Sequence, residues 1–118
     1  MMSTAGKVVL QGLLEDFARE VYQTEIDHGF TTPGEPVNDG ERIALMHSEL
    51  SECLEYIRHN NPPSDHIPMF SGAEEELADC MIRILSYCAK KNYLIGDAMI
   101  AKAEFNSARP FRHGGKLF

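Results

Sequence analysis

The stretch ALMHSELSECLEYIRHN, residues 44–60, decides the fold, because its apolar residues recur at the three- and four-residue steps of an α-helix. Glu49 and Glu52 lie beside this apolar stripe rather than opposite it. The stretch SGAEEELADCMIRILSYCAKK, residues 71–91, repeats the arrangement with Glu76 and Asp79. A carboxylate without a partner is costly to desolvate beside a core-facing surface. The two acid pairs therefore need an explanation other than solubility.

Helical spacing extends over most of the chain and predicts an all-α protein with four helices. The first covers residues 7–27 and stops at Gly29. The second follows Asn38, which with Glu41 forms a variant of the capping box.

The third helix opens with a capping box formed by Ser71 and Glu74, and Asn92 closes it. The fourth runs from about residue 95 to residue 107 and is stopped by Pro110. We expect the apolar stripes of the first three helices to form the core; they comprise Val9, Leu10, Leu13, Phe17, Val21, Ile43, Met46, Leu50, Cys53, Leu54, Ile57, Leu77, Cys80, Met81, Ile84, Leu85 and Cys88.

Length and composition indicate one ordinary globular domain covering residues 1–118, with 43% hydrophobic and 25% charged residues. Every apolar run is shorter than the roughly 20 residues that cross a bilayer, and no secretory leader is recognisable. Cys53, Cys80 and Cys88 lie on apolar helical positions without CxxC spacing, which favours buried thiols in the cytoplasm. A four-helix chain this short is expected to complete its core as a homodimer or homotetramer.

The formal net charge of −7 argues against a nucleic-acid binder. This charge is uneven, because residues 102–118 form a basic tail of +3 and the rest of the chain carries −10. An acidic body with a basic tail could hold a small polyanion between a bound metal and the cations of the tail.

Each acid pair directs two carboxylates toward one point, because residues three apart lie on the same side of a helix. If the second and third helices pack antiparallel, four carboxylates converge and repel one another unless a cation neutralises them. Oxygen ligands suit Mg²⁺, with Mn²⁺ as an alternative. A solvated acidic face is the simpler reading of either pair alone. A di-iron bundle is disfavoured, because Glu25 and His28 form the only Glu-x-x-His pair and end at a turn.

Three segments, SELSECLEYIR (48–58), EEELADCMIRIL (74–85) and AKAEFNSARPFRHGGKLF (101–118), resemble the MazG-like all-α nucleoside triphosphate pyrophosphohydrolases. The resemblance implies a four-helix MazG-like bundle in which Mg²⁺ is bound by Glu49, Glu52, Glu76 and Asp79. It also implies that the triphosphate or sugar is contacted by Lys102, Asn106 and Arg109, with Lys116 closing over it. Ser48 departs from the family pattern, which often has a glutamate there, and this leaves the general base open.

The chemistry of the residues agrees with that expectation. Hydrolysis of a phosphoanhydride needs charge screening, a positioned water and cations on the leaving group. Glu49 or Glu52 could deprotonate the water. Lys102, Asn106 and Arg109 recur at four- and three-residue steps, so one helical face could present all three. Basic residues near a helix end also serve the helix dipole, which is their simpler interpretation.

The sequence therefore predicts a Mg²⁺-dependent hydrolase that converts a nucleoside triphosphate, non-standard or deoxy, to a monophosphate and pyrophosphate. One alternative is a non-catalytic, metal-binding helical bundle that regulates a partner. Another is a related hydrolase that acts on a different pyrophosphate compound, such as phosphoribosyl-ATP.

Overall fold

A computed structural model of the chain describes residues 2–110. Within that range the chain forms no β-strand, and the only β-type pairing is an isolated bridge between Pro63 and Ser71. The predicted all-α fold is confirmed. The four helices are α1 (Thr4–Asp27), α2 (Asp39–Arg58), α3 (Gly72–Lys91) and α4 (Ile95–Ser107).

The ends of α3 follow from local side-chain chemistry. Ser71 Oγ accepts a hydrogen bond from the Glu74 backbone N–H at 3.2 Å, and Glu74 Oε1 accepts from the Ser71 N–H at 3.1 Å. This reciprocal pair satisfies two of the donors that a helix start leaves without partners. At the other end Asn92 adopts a left-handed conformation with φ of 58°. Both predicted ends of this helix are confirmed.

The first two helices also begin at side-chain caps. Asn38 Oδ1 accepts from the Glu41 N–H at 3.1 Å, as predicted. The first helix begins at Thr4, earlier than residue 7, because Ser3 Oγ accepts from the Gly6 N–H at 3.0 Å. A serine cap of this kind stabilises a helix start by about 1 kcal/mol. Gly29, with φ of 78°, follows the end of α1.

Contacts at both ends show that α2 and α3 run antiparallel. Near the start of α2, Asp39 Oδ1 accepts from the Tyr87 hydroxyl at 2.7 Å and lies 3.3 Å from Lys91 Nζ. Near its end, the Tyr56 ring lies directly against Gly72, the first residue of α3. The middle of α2 therefore faces the middle of α3, which is where both acid pairs lie.

Buried polar contacts join α1 to this pair. Glu25 Oε2 on α1 accepts from both terminal amino groups of Arg42 on α2 at 3.3 Å, and from Ser86 Oγ on α3 at 2.5 Å. One carboxylate thus links three helices. The α4 helix lies on α1, where the Gly96 N–H donates to Glu15 Oε1 at 2.8 Å. Among the four described helices, α4 has no comparable packing with α2 or α3.

The packing order α2, α3, α1, α4 leaves much apolar surface uncovered. The three cysteines are buried as predicted, but the other buried hydrophobic residues of the described chain are Ala18, Ala73 and Leu85. The prediction that Phe17 and Met81 lie in the core is wrong for the single chain, where they are 45% and 56% exposed. Other predicted core residues that are exposed are Val9, Leu13, Ile43, Leu50, Leu54, Ile57 and Leu77. The reason is geometric, because helices packed in series have neighbours on too few sides to cover a whole stripe.

No helix within residues 2–110 has the combined length and apolar character required to traverse a lipid bilayer.

The close approach of α2 and α3 at Gly72 can be tested by adding one methyl group. A Cβ atom at this position would lie 2.1 Å from Tyr56 Cδ1, so the ring must move. We expect Gly72→Ala to lower the free energy of unfolding by about 1–3 kcal/mol, because overpacking forces neighbours from their preferred positions.

The matched control is Gly12→Ala in α1, where an added Cβ meets no atom within 4 Å. This change should raise the free energy of unfolding by about 0.5–1 kcal/mol, since alanine favours a helix interior. Urea denaturation followed by circular dichroism measures both. Equal effects of the two substitutions would contradict the close packing at Gly72.

Candidate metal centre

Antiparallel packing of α2 and α3 brings three of the four predicted acids together. Glu49, Glu76 and Asp79 each offer one carboxylate oxygen, and these oxygens all lie within 4.8 Å of one another. Oxygens that share a magnesium ion at 2.0–2.1 Å are separated by about 3–4 Å, so only a small closure is needed. Glu49 and Glu76 are buried, and Asp79 is partly exposed at the edge. We call these three residues the acid cluster.

Glu76 is the least satisfied member of the acid cluster. The residue is only 7% exposed, and its Oε2 has no hydrogen-bond partner within residues 2–110. Burial, followed by hydrogen bonds with Glu49 and Glu52 and then by their negative charges, raises the pKa of Glu76 to about 8. Burial and the charges of neighbouring acids also raise the pKa of Asp79. A buried carboxylate that belongs to a group of acids and keeps one oxygen without a partner in the described chain fits a site for a hard cation.

Glu49 behaves differently because an arginine reaches it. Arg83 Nε on α3 donates to Glu49 Oε1 at 2.8 Å. Burial raises the pKa of Glu49, but hydrogen bonds with Glu76 and Arg83, and the arginine's charge, together hold that pKa below its ordinary value. Glu49 is therefore the carboxylate that stays ionised, and Glu76 is the one that binds a proton most readily.

Glu52 lies outside the acid cluster and is exposed. Its hydrogen bond and negative charge nevertheless raise the pKa of Glu76, so the Glu52 carboxylate lies close to that of Glu76. Glu52 and Glu76 also share a groove of about 370 Å³, the volume of a small-molecule pocket. The groove is lined by Glu52, Glu55, Tyr56, His59, Pro62 and Glu76.

The Glu75 side chain does not belong to the acid cluster. It forms hydrogen bonds with the loop between α2 and α3, which lies beside this groove. One oxygen of this buried carboxylate accepts from the Ser64 hydroxyl, and the other lies 2.7 Å from His66 Nδ1. The hydrogen bonds of Ser64 and His66 lower the pKa of Glu75. Of the three consecutive glutamates, Glu74 therefore caps α3, Glu75 holds the loop and Glu76 enters the acid cluster.

The predicted substrate-binding residues are not brought to the acids in the single chain. Lys102 and Asn106 lie on α4, which packs against α1, and they share an exposed surface of α4 with Met99. Arg109 follows the end of α4, so the prediction that one helical face carries all three residues is wrong for Arg109. The helix stops at Ser107 because its last turn precedes Pro110. Lys116 lies outside the described residues.

Two details near the acids could not be read from motif matching. Ser48 donates its hydroxyl to the Leu45 carbonyl oxygen at 2.7 Å, so it is turned back on its own helix. Arg83 was not singled out by the sequence, although it follows Asp79 by four residues and Glu76 by seven. That spacing places it on the same side of α3 and was the available signal.

Comparison of the chain with protein-family models, with curated proteins and with solved structures finds no match.

If the acid cluster binds a divalent cation, removing its unsatisfied carboxylate should have opposite effects with and without metal. In chelator, Glu76→Gln should leave stability unchanged or raise it, because repulsion with Glu49 and Glu52 falls. Mg²⁺ or Mn²⁺ should stabilise the wild type by about 2.7 kcal/mol at a concentration 100 times its Kd, and stabilise the variant far less.

Thermal unfolding with chelator or with added cation measures both effects. Glu20→Gln on the exposed surface of α1 is the control, and it should respond to metal as the wild type does. Equal stabilisation of the Glu76 variant and the wild type by the cation would rule out the acid cluster as the binding site.

Proposed function

We propose that the protein is a Mg²⁺-dependent nucleoside triphosphate pyrophosphohydrolase that releases a nucleoside monophosphate and pyrophosphate. The observation that carries the proposal is the convergence of Glu49, Glu76 and Asp79, with a buried Glu76 oxygen lacking a partner in residues 2–110. The resemblance of the acid motifs and the basic tail to MazG-like enzymes supplies the reaction class. A net charge of −7 supports a small anionic substrate held through metal rather than a nucleic acid.

The residues that would hold the ion are Glu49, Glu76 and Asp79, with Glu52 at the edge. When bound, Mg²⁺ or Mn²⁺ supplies positive charge that screens the phosphate oxygens and the charge that develops during their displacement. Without such screening, the acid cluster would repel a triphosphate.

Glu52 is the better placed of the two proposed catalytic acids to accept a proton from the attacking water. Glu49 is buried, and its Oε1 already accepts from Arg83. Glu52 is exposed beside the groove, where both water and substrate can reach it. Its carboxylate can therefore orient a water and remove its proton, which Ser48 cannot do from its position on the helix.

The groove beside Glu52 is a suitable place for the nucleoside part of the substrate. Tyr56 offers an aromatic face and Pro62 an apolar wall, while Glu55 and His59 offer polar groups. Aromatic and apolar surface beside groups that can form hydrogen bonds is a common combination in small-molecule sites.

A second copy of the chain would complete this arrangement. The stripes of α2 and α3, which include Leu54 and Met81, are about half exposed, and completing the burial of each such side chain contributes about 1 kcal/mol. Lys102 and Asn106 need to approach an acid cluster that their own chain does not bring near them. Homo-oligomerisation, as a dimer or tetramer, answers both requirements.

The reaction is tested with a panel of standard, deoxy and non-standard triphosphates, together with phosphoribosyl-ATP, in the presence of Mg²⁺. We expect monophosphate and pyrophosphate as products, with turnover abolished in Glu76→Gln and retained in Glu20→Gln. Lys102→Ala should raise KM about 10–100-fold, as expected for a lost charged hydrogen bond, with Mn²⁺ affinity unchanged.

Binding of metal without turnover of any compound would instead favour a non-catalytic metal-binding bundle. Turnover of phosphoribosyl-ATP alone would favour the related hydrolase. An unchanged KM in Lys102→Ala would remove that residue from the site.

The oligomer is tested by analytical ultracentrifugation of the full chain. We expect a dimer or tetramer at micromolar concentration. Leu54→Glu should raise the dissociation constant about 100-fold, because it places a charge in an apolar interface. Arg19→Glu, at an exposed position of α1 on another side of that helix from Phe17, is the control. A wild-type monomer at high micromolar concentration would contradict oligomerisation.

A further inference from the structure

Arg83 is the basic residue that forms an ion pair with the acid cluster within residues 2–110. Its Nε donates to Glu49 Oε1 at 2.8 Å. The Glu49 side chain is only 8% exposed, whereas that of Arg83 is 35% exposed. The guanidinium therefore bridges a buried carboxylate and the open edge of the site.

The rest of the guanidinium makes no hydrogen bond within the described part of the chain. Arginine has five N–H donors in a rigid fork, and Nε carries one of them. The two terminal amino groups of Arg83 donate no hydrogen bond to any residue within 2–110. They remain able to bind a ligand.

Arg42 shows what a purely structural arginine looks like in this fold. Both of its terminal amino groups donate to Glu25 Oε2, and its side chain is 18% exposed. Its hydrogen-bonding fork is directed at a carboxylate that joins helices. Arg83 instead donates only through Nε, and its two terminal amino groups have no acceptor within residues 2–110.

We propose that Arg83 is a phosphate-binding residue of the acid cluster, anchored through Nε to Glu49 while its terminal amino groups bind oxygens of a polyphosphate. This inference rests on the proposed function, and it deepens it by naming a phosphate contact on α3. Arginine suits the role because its planar fork matches two phosphate oxygens, while its charge offsets the neighbouring acids.

Arg83 would supply this phosphate contact from the same chain as the acid cluster. Lys102 and Asn106 lie on α4, away from the direct packing of α2 against α3. Arg83 lies one turn of helix beyond Asp79, so a phosphate held at the acid cluster could reach this side chain without a large movement of the backbone.

The alternative is that Arg83 only neutralises Glu49. A lysine could keep that ion pair, but its single ammonium group cannot donate to Glu49 as Nε does and also offer two further amino groups to a phosphate. Arg83→Lys therefore separates the two roles, and it avoids leaving the buried Glu49 carboxylate without a counter-charge.

The test measures binding of Mn²⁺ alone, and of pyrophosphate in the presence of Mn²⁺, to the full chain by isothermal titration calorimetry. In Arg83→Lys we expect pyrophosphate affinity to fall about 10–100-fold, because hydrogen bonds between charged groups are lost. Affinity for Mn²⁺ should stay within about threefold, since the charge beside Glu49 remains. Arg42→Lys is the control and should leave both affinities unchanged.

Unchanged pyrophosphate affinity in Arg83→Lys would overturn the inference, as would a parallel loss of Mn²⁺ affinity. Failure of the wild type to bind pyrophosphate with Mn²⁺ present would overturn it as well. Arg83-dependent pyrophosphate binding without hydrolysis of any triphosphate would support the inference while rejecting the hydrolase.

Discussion

The structure depends on how α2 and α3 tolerate the burial of like charges between them. Glu49 and Glu76 are both buried, and Asp79 lies at the edge of the same group. Repulsion at this range opposes the antiparallel packing, and burial together with the neighbouring Glu49 and Glu52 raises the pKa of Glu76. Arg83 offsets part of the charge through Glu49. A proton on Glu76, whose pKa is raised to about 8, offsets a further part, and in the function that we propose a divalent cation would take the place of that proton.

Helix ends could be predicted from the sequence because they depend on side chains within a few residues. Ser71 and Asn92 bound α3 as expected, and the cap at Asn38 forms. Burial could not be predicted in the same way. Helical spacing identifies an apolar stripe, but it does not say how many neighbouring helices cover it. Phe17 and Met81 are exposed for that reason, whereas the smaller cysteines fit between closely packed helices.

In the candidate site, too, local features could be predicted from the sequence, whereas features that depend on helix packing could not. Residues three apart share a helix face, so the pairing of acids within α2 and within α3 followed from the sequence. Their convergence required the helices to be antiparallel and in the correct register, which the contacts at Asp39 and Gly72 provide. The role of Glu52 at the edge, and the pairing of Arg83 with Glu49, depend on that register to within one turn. Motif matching alone could not supply it.

The exposed apolar stripes and the separation of α4 from the acids both support the second copy of the chain that we propose. Lys102 and Asn106 share an exposed surface with Met99 on α4, so a partner that covers this apolar surface also comes close to these two polar side chains. The oligomer that we propose would therefore bury hydrophobic area and bring Lys102 and Asn106 toward a neighbouring chain in one step. Lys102 is the one basic residue of α4, which also carries Asp97 and Glu104. Because Lys102 is separated from the acid cluster within one chain, it would not be held in an ion pair there and could contact a phosphate in the proposed assembly.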